Sequence, residues 1–379
     1  MSDYEISEIL ITKKKVNASI SLKRNQRAAK RKEKRTSFFD FSTKIYKLVQ
    51  LKSSELLDLT NCNDMEKEVV DNSFLEPPEI LKCIHNCGIV GLGGGGFSAN
   101  QKIEATQSAS NEEKILIINA VECDPGLLHD EWLLTNKLAQ IEIGICEISK
   151  RVPFKRIIVA SRHKIETISV ICNIDVEFLQ LDYFYPLGEE HILLKKALGI
   201  NLDKNEIPAE HGLLVFNVQT VYAIGQAVTK RQVLRSRYIT AADLTTGYAR
   251  IVKVPVGANA VDVLKQAMGS NEKATMYIGE DIMGSRKMIA DDVIDVKTNF
   301  VAYAKPINFA NPSACIGCGV CAKKCPFNIP IGGIISYTKF GQSFSDDITN
   351  KCIGCNACAY FCKAGINTKC FVDNQNKKV

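Results

Sequence analysis

Short apolar runs alternate with amphipathic stretches through the middle of the chain. Three of the apolar runs have the length of a strand and are uniformly hydrophobic, as buried strands are: Lys114–Ala120 (KILIINA), Arg156–Ala160 and Leu213–Asn217. Helical patterns follow them, one over Trp132–Arg151 and one after Thr220. The alternation predicts a layered α/β domain over residues 80–235, which opens with a short helix from Glu79 to Cys87 behind Pro77 and Pro78.

The pattern changes after residue 235. Three short strand-like runs surround one helical stretch, Ala260–Met268, and they are Tyr238–Thr240, Ala249–Val254 and Met276–Ile278. This predicts a small α+β module over residues 236–304. A cysteine-rich segment, residues 305–379, closes the sequence.

Residues 1–75 are polar and basic. Between Lys13 and Arg35 eleven lysines and arginines stand against one acid, Glu33. Such blocks of like charge are typical of solvated tails, so we expect a partly disordered leader. Docking on an anionic membrane surface or an acidic partner is the alternative. Nucleic-acid binding is not expected, because no aromatic platform or binding motif accompanies the charge.

The composition fits a globular protein with two or three domains. The 379 residues are 46% hydrophobic and 24% charged, and no apolar run reaches the 18 residues of a candidate transmembrane helix. Acidic residues interrupt the first ten positions, which excludes a signal-peptide core there. We therefore expect a cytoplasmic protein whose fifteen cysteines serve metal binding rather than disulfides.

Eight of the cysteines form two runs with the same spacing, C-x2-C-x2-C-x3-C. The first is Cys315, Cys318, Cys321 and Cys325, and the second is Cys352, Cys355, Cys358 and Cys362. This spacing is that of a two-cluster bacterial ferredoxin, in which the fourth cysteine of each run ligates the other cluster. It predicts one 4Fe-4S cluster on the first three cysteines with Cys362, and a second on Cys352, Cys355 and Cys358 with Cys325.

A pair of zinc sites is the alternative for these cysteines. Structural zinc usually takes four ligands from two C-x2-4-C or histidine pairs separated by a longer spacer. Each run here supplies four close thiols and no histidine. The pattern therefore favours iron–sulfur clusters, and with them electron transfer.

A glycine-rich segment, Gly88–Phe97 (GIVGLGGGGF), has six glycines in ten residues. Glycines let main-chain N–H groups approach an anion closely. The segment lacks the strand-first context of a Rossmann fingerprint and the Gly-Lys-Ser/Thr ending of a P-loop. Taken alone, it is equally consistent with a flexible turn.

Four segments, in order, resemble a known family. They are GIVGLGGGGFSANQK (Gly88–Lys102), INAVECDPG (Ile118–Gly126), YPLGEE (Tyr185–Glu190) and FNVQT (Phe216–Thr220). They resemble the NADH- and FMN-binding flavoprotein subunit of respiratory complex I and, more closely, the RnfC family of the Rnf electron transport complexes. In that family a β-grasp (SLBB-like) module and a two-cluster ferredoxin domain follow, at the positions of residues 236–304 and 305–379 here.

The resemblance implies roles for individual residues. Gly91, Gly93, Gly94 and Gly96 match glycines that cradle FMN phosphate and nucleotide, with Phe97 stacking in the same pocket and Lys102 meeting phosphate. Asn119 matches an asparagine that contacts the isoalloxazine ring, and Glu122 an acid beside the nicotinamide. Gly188, Glu189 and Glu190 match the loop that closes over flavin and NADH, and Asn217 and Thr220 match FMN phosphate ligands.

The function implied by the resemblance is an NADH dehydrogenase-type oxidoreductase. Electrons would pass from NADH through FMN to two 4Fe-4S clusters and on to a redox protein partner, such as membrane subunits of an Rnf complex. A microcompartment cobalamin reductase with a corrinoid partner and shell docking is one alternative, and a non-enzymatic electron-transfer adaptor with a decayed nucleotide pocket is another. The location implied is cytoplasmic, peripheral on the cytoplasmic membrane face, or inside a microcompartment.

The sequence departs from the family pattern at several positions. Ser98 and Ala99 replace the usual Pro-Thr, which removes a hydroxyl available to phosphate, and Lys363 stands where a proline usually follows the last cysteine. The EDIMG segment, residues 280–284, departs from a glycine-rich pattern, and residues 1–75 do not resemble the family's opening barrel–sandwich domain.

Overall fold

The predicted strands form the centre of a parallel sheet in the computed structural model. The model describes residues 56–60, 79–110, 113–122, 124, 126–162, 170–171, 174–181, 185–203, 205–280, 284–306, 310–311, 314–340, 348, 351–368 and 371. In chain order the elements are β1 (Leu56–Asp58), α1 (Ile80–Asn86), α2 (Ala99–Ser108), β2 (Ile115–Ala120), α3 (His129–Asn136), α4 (Leu138–Arg151), β3 (Arg156–Ser161), β4 (Val170–Ile171), β5 (Ile174–Gln180), α5 (Glu190–Leu198), β6 (Leu213–Asn217), α6 (Val218–Lys230), β7 (Ser236–Asp243), β8 (Tyr248–Pro255), α7 (Ala260–Met268), β9 (Thr275–Gly279), β10 (Arg286–Lys287), β11 (Phe300–Ala304), α8 (Val320–Lys324), α9 (Ile331–Lys339) and α10 (Ala357–Tyr360).

The first sheet has the strand order β4-β5-β3-β2-β6, and all its pairs except β4 with β5 are parallel. Helices cover both faces, as a parallel sheet requires. On β2, Leu116 and Ile118 pack into the core with α4 and α6, whereas Ile117 packs into the opposite core with α5. Parallel pairing places Asn119 opposite Asn217 at the carboxyl edge, where ligands of open α/β sheets bind.

Helices α4 and α6 cross at very close range because each carries a glycine at the contact. A Cβ on Gly144 would lie 2.3 Å from the Val221 carbonyl oxygen, and one on Gly225 would lie 2.0 Å from the Gln140 carbonyl oxygen. No larger residue fits at either position without separating the helices. The contact fixes α6, whose N-terminus helps to form the site.

The second sheet is mixed, with the order β1-β8-β7-β11-β9-β10. Helix α7 packs on it through Val263 and Leu264, against Ile239, Val252 and Val301. This agrees with the predicted small α+β module, and its identity as a β-grasp (SLBB-like) module stays a prediction. Strand β1 lies within the predicted leader 1–75 and pairs in parallel with β8. The basic run from Lys13 to Arg35 lies outside the described residues.

Several element predictions are confirmed, and others are corrected. Strand β6 and helix α7 have the predicted bounds, and Glu79 and Cys87 cap α1. The helix predicted over Trp132–Arg151 is instead two helices, because Lys137 leaves helical geometry with φ −127°. Cys146 is disulfide-bonded, which departs from the expectation that the cysteines stay thiols. In the described parts of the chain, each helix is too short or too polar to cross a bilayer.

Candidate functional site

The glycine segment forms a closed loop in front of helix α2. Val90 and Ser98 pair as an isolated antiparallel bridge, and the Gly91 amide donates to the Phe97 carbonyl oxygen at 2.7 Å. The Gly96 amide closes the turn onto the Gly91 carbonyl at 3.2 Å. Ser98 then caps α2 by accepting a hydrogen bond from the Gln101 amide at 3.3 Å. The loop therefore leads directly into a helix N-terminus, which favours anions.

The backbone of this loop requires glycine at particular positions. Gly94 and Gly96 have φ values of 104° and 65°, which side chains rarely tolerate. A Cβ on Gly93 would lie 3.0 Å from the Cβ of Asn217, and one on Gly96 would lie 2.7 Å from Cε of Lys297. Side chains here would fill the space between the loop and its neighbours, so the glycines keep a cradle open for a ligand.

Two buried side chains hold the loop from behind at Leu92. The Thr220 hydroxyl accepts a hydrogen bond from the Leu92 amide at 2.9 Å, and Arg237 donates from Nη2 to the Leu92 carbonyl oxygen at 3.0 Å. Thr220 is fully buried. The structure thus places this predicted phosphate ligand as an anchor of the glycine loop.

Asn119 links the end of β2 to the loop that precedes α5. Its Nδ2 donates to the Gly188 carbonyl oxygen at 2.9 Å, and its Oδ1 accepts from the Val121 amide at 3.0 Å. Both bonds fix the amide plane at the carboxyl edge of the sheet. Its predicted contact with a flavin ring stays a prediction.

The two predicted acids of this second loop already have partners. Glu190 receives Lys102 Nζ at 3.0 Å on both carboxylate oxygens, and Lys102 also reaches the Val215 carbonyl oxygen at 3.3 Å. Glu189 caps α5 by accepting from the Ile192 amide at 3.0 Å, and its other oxygen contacts His191 Nδ1 at 2.9 Å. Lys102 and Glu190 thus tie the glycine-loop helix to the second loop.

Glu122 lies buried at the end of β2, with 3% of its surface exposed. One carboxyl oxygen accepts from the Asp130 amide at 3.2 Å, while Oε2 has no hydrogen-bond partner among the described residues. Burial, and then the nearby carboxylates of Asp130 and Glu131, hold the pKa of Glu122 well above its usual range. A neutral carboxyl group at this position can donate a hydrogen bond.

Asp130 is a functional residue that sequence reasoning missed. Its Oδ2 accepts from Asn217 Nδ2 at 2.6 Å, and only 13% of its side chain is exposed. Burial raises the pKa of Asp130 to about 7, although the bond from Asn217 opposes that shift. Asn217 also accepts from the Gln219 amide at 2.9 Å as the cap of α6, so Asp130 orients a residue beside Gly93.

His129 and Arg237 complete this buried polar group, and sequence reasoning missed both. Burial, together with the positive charge of Arg237, lowers the pKa of His129 to about 3, so its ring is neutral. Burial also lowers the pKa of Arg237 to about 10, which still leaves it charged at neutral pH. Arg237 bonds to the carbonyl oxygen of Val296 and the side chain of Asn299. A positive charge therefore lies behind the glycine loop, where it favours an anion in front.

The first cysteine group surrounds a cavity of about 460 Å³. Cys315, Cys318 and Cys321 line it together with Cys362 from the second run, and α9 closes one side. This is the set of four that the spacing predicts for one cluster. The thiols converge on a space without a competing carboxylate, which fits the thiolate ligation of a 4Fe-4S cluster.

The second group forms around Cys355 and Cys358. Burial raises the pKa of Cys355 to about 12, and the charges of Cys358, Cys325 and Cys352 add to that shift. Burial likewise raises the pKa of Cys358 to about 11, with Cys352 and Cys325 as neighbouring charges. The structure thus brings Cys325 to the second run. Thiols this hard to ionise need the positive charge of bound iron to become thiolates.

The two cysteine loops have matching backbone turns. Gly317 and Gly354 have φ values of 64° and 76° at equivalent positions, and Gly319 and Asn356, with φ 66° and 57°, precede the short helices α8 and α10. In the second loop the Gly354 amide points at the Cys352 sulfur at 3.4 Å. Such N–H groups stabilise negative charge on cluster sulfur atoms.

The second cysteine group lies directly against the α/β domain. The hydroxyl of Tyr185, just before the loop of Glu189 and Glu190, donates to the Cys355 carbonyl oxygen. Ile353 and Phe327 pack on the same apolar core as Leu187. The cradle and the nearer cysteine group therefore share one packed body.

Comparison with known domain families assigns two parts of the chain. Residues 84–226 match the Nuo51 FMN-binding domain, and residues 314–366 match a 4Fe-4S dicluster domain. These ranges contain the glycine cradle with its anchors and both cysteine groups. The matches and the fit of the residues support FMN and two 4Fe-4S clusters as cofactors.

Curated relatives of the RnfC type match over most of the chain. The RnfC component of the ion-translocating oxidoreductase complex of Buchnera aphidicola subsp. Acyrthosiphon pisum is 29% identical over 278 residues, which cover 69% of this chain and 57% of that protein. The corresponding component of the Na(+)-translocating ferredoxin:NAD(+) oxidoreductase complex of Acetobacterium woodii is 26% identical over 70% of this chain and 61% of that protein. The chain thus spans less than two thirds of the length of these relatives.

A solved structure shows the same fold. The NAD+-reducing NiFe-hydrogenase in the air-oxidised state matches with a TM-score of 0.53 and 17% identity, over 79% of this chain and 63% of that one. Together, the two domain matches, the curated relatives and the ordered motifs identify the family. The chain belongs to the RnfC family of the ion-translocating oxidoreductase complexes.

Proposed function

We propose that this protein takes a hydride from NADH at a bound FMN and passes the electrons singly through two 4Fe-4S clusters to a protein partner, as a component of an Rnf-type complex. The observation that carries the proposal is the contact of the second cysteine group with the flavin domain at Tyr185 and Cys355. It supports a short electron path between the glycine cradle and the nearer cluster.

The main chain of the glycine loop supplies the phosphate site in this proposal. The N-terminus of α2 and the charge of Arg237 both favour an anion there. Lys102 is held by Glu190, so phosphate binding exchanges or shares that carboxylate partner. FMN, when bound, supplies the exchange between a two-electron donor and one-electron acceptors. The protein orients it and excludes water.

Glu122 and Asp130 control protons beside the cradle. With its pKa raised, Glu122 carries a proton and presents Oε2 as a donor to a carbonyl-type acceptor such as a carboxamide. Asp130 accepts from Asn217, which leaves that asparagine with a fixed orientation next to Gly93. Two buried carboxyl groups with raised pKa also keep a hydride donor's site from becoming strongly negative.

The partner and the location are also part of the proposal. The complexes named for the relatives are assemblies of several proteins, and this chain's clusters need a protein that delivers or receives electrons. Membrane subunits of an Rnf-type complex fit that need from the cytoplasmic side. The contribution of residues 1–75, the proposed basic docking segment, lies mostly outside the described residues.

Anaerobic purification followed by visible spectroscopy tests the proposal. We expect about one FMN and about eight irons per chain, and bleaching of flavin and cluster absorbance after NADH is added. Glu122→Gln, which keeps a donor and removes the titratable proton, should retain FMN and change the pH dependence of NADH-driven bleaching. A protein with clusters that dithionite reduces, but without flavin or any response to NADH, would refute the dehydrogenase function.

A further inference from the structure

The two cysteine groups have very different surroundings. The second, around Cys355, is half-buried and packs on the α/β domain through Tyr185 and Ile353. The first faces outward: residues 316–319 are all exposed, including Cys318. If electrons enter at the flavin domain, the first group is the terminal one. Its outward surface is then where electrons leave or enter the chain.

This outward surface carries large apolar side chains. Ile316 is 63% exposed and lines the mouth of the first cysteine cavity. Helix α9 lines the same cavity through Gly332, Gly333 and Ser336. At the end of that helix Tyr337 is 46% exposed and Phe340 is 81% exposed. Exposed apolar groups clustered around a redox site mark a protein contact rather than ordinary surface.

Lysines surround the same cavity. Lys323 and Lys324 directly follow two cavity-lining residues, and Lys363 directly follows Cys362. All three are exposed, and none forms an ion pair with a carboxylate of a described residue. Lys324 lies 4.7 Å from the ring centre of Phe361, beside Cys362. From residue 305 to 371 the sequence has seven lysines and two acids, so the charge is clearly positive.

We propose that this surface, the exit face, docks an acidic one-electron carrier protein whose own redox centre lies near its surface. The exit face consists of Ile316, Cys318, Lys323, Lys324, Tyr337, Phe340 and Lys363. An apolar centre with a charged rim is the usual anatomy of a specific interface. Complementary charge speeds the encounter, which suits a partner that must bind, exchange an electron and leave.

The inference rests on the proposed function, because it takes the first group to hold the terminal cluster. One electron passes from the reduced cluster to the carrier; the cluster is oxidised by one electron and the carrier is reduced by one. No proton or bond is exchanged. A second copy of this chain is the competing occupant of the exposed apolar groups, and the oligomeric state of a Phe340 variant separates the two.

The test uses the full chain with both clusters, reduced with dithionite, freed of excess reductant and mixed in a stopped-flow instrument with a haem protein. The acidic soluble domain of cytochrome b5 and the basic cytochrome c serve as acceptors of opposite charge. Lys323→Glu with Lys324→Glu reverses the exit face, and Lys265→Glu with Lys273→Glu makes the same charge change on the mixed-sheet module. Phe340→Ser removes the most exposed apolar group.

We expect the exit-face double variant to slow reduction of cytochrome b5 by about tenfold or more at low salt, and the control double variant to change it less than about twofold. The wild-type rate should fall as salt screens the charges. Phe340→Ser should slow the same reaction without lowering the cluster content. Reduction of cytochrome c should be unchanged or faster in the exit-face variant.

Two outcomes would overturn the inference. Equal slowing by both double variants would show that overall charge, and not the exit face, governs the encounter. A wild-type dimer that Phe340→Ser converts to a monomer would assign the apolar groups to contact between copies. Because dithionite bypasses NADH and FMN, either result would stand whether or not the dehydrogenase function holds.

Discussion

The hydroxyl of Thr220 offers a direct test of how the flavin cradle is held together. In Thr220→Val a methyl group replaces the hydroxyl, so the shape is kept while the acceptor for the Leu92 amide is lost. Leu92 is 1% exposed, so water cannot replace that acceptor without opening the loop. Leaving a buried N–H group unsatisfied costs about 1–3 kcal/mol.

This cost weakens FMN binding if the ligand requires the loop in its closed form. At about 1.4 kcal/mol per factor of ten, the dissociation constant should rise by about 5-fold to about 150-fold. The Arg237 bond to the Leu92 carbonyl oxygen remains, which favours the lower half of that range. Thr220→Ser keeps the acceptor oxygen and should bind FMN nearly as the wild type does.

Quenching of FMN fluorescence, titrated with flavin-free protein, measures this constant. Thr229→Val is the matched control, because that hydroxyl lies on the same helix and donates at 2.7 Å only to the Gly225 carbonyl oxygen of its own helix. The reasoning fails if Thr220→Val binds FMN as tightly as the wild type. It also fails if both valine variants weaken binding equally, since the effect would then belong to the helix in general.

Two further predictions concern Asp130 and the cysteine groups. With its pKa raised from 3.8 to about 7 on folding, Asp130 contributes stability at low pH that is lost as pH rises from about 4 to 7, so Asp130→Asn should be the more stable protein at pH 8 and lose that advantage at pH 5. Thermal unfolding followed by the chain's single tryptophan measures this, and a difference between the two proteins that does not vary with pH would contradict it. Alanine variants of Cys315 and Cys362 should lose the same cluster, leaving one common residual electron paramagnetic resonance signal. Variants of Cys352 and Cys325 should leave the other signal, and residual signals paired by run, Cys315 with Cys325, would rule out the exchange of ligands.

Much of the site follows from local sequence because its chemistry is local. Cysteine spacing fixes which thiols fit one cubane, and the structure brings Cys362 and Cys325 to the predicted sides. The glycine run indicates a close backbone approach, and the structure shows why at Gly93 and Gly96. The strand end at Asn119 is also visible in the sequence, because the apolar run stops there.

The remaining residues could not be found from local sequence because distant segments give them their role. Arg237 lies on β7, outside the predicted flavin domain, and reaches Leu92 across 145 positions. Asp130 matters through Asn217, 87 residues away. An arginine and an aspartate look like ordinary surface residues until a tertiary contact buries them. Asp130 lies just ahead of the helix predicted from Trp132, which was the one local signal available.

Strand β1 limits how far the basic run can reach. Leu56–Asp58 is hydrogen-bonded to β8, so the chain before it is tethered at the edge of the mixed sheet. Arg35 lies 21 positions before Leu56, and a fully extended chain gains at most about 3.6 Å per residue. The basic run's last arginine can therefore lie no farther than about 75 Å from that edge. Any anionic surface it meets must hold the redox centres within a molecular diameter or two, which confines diffusion to a shallow layer above that surface.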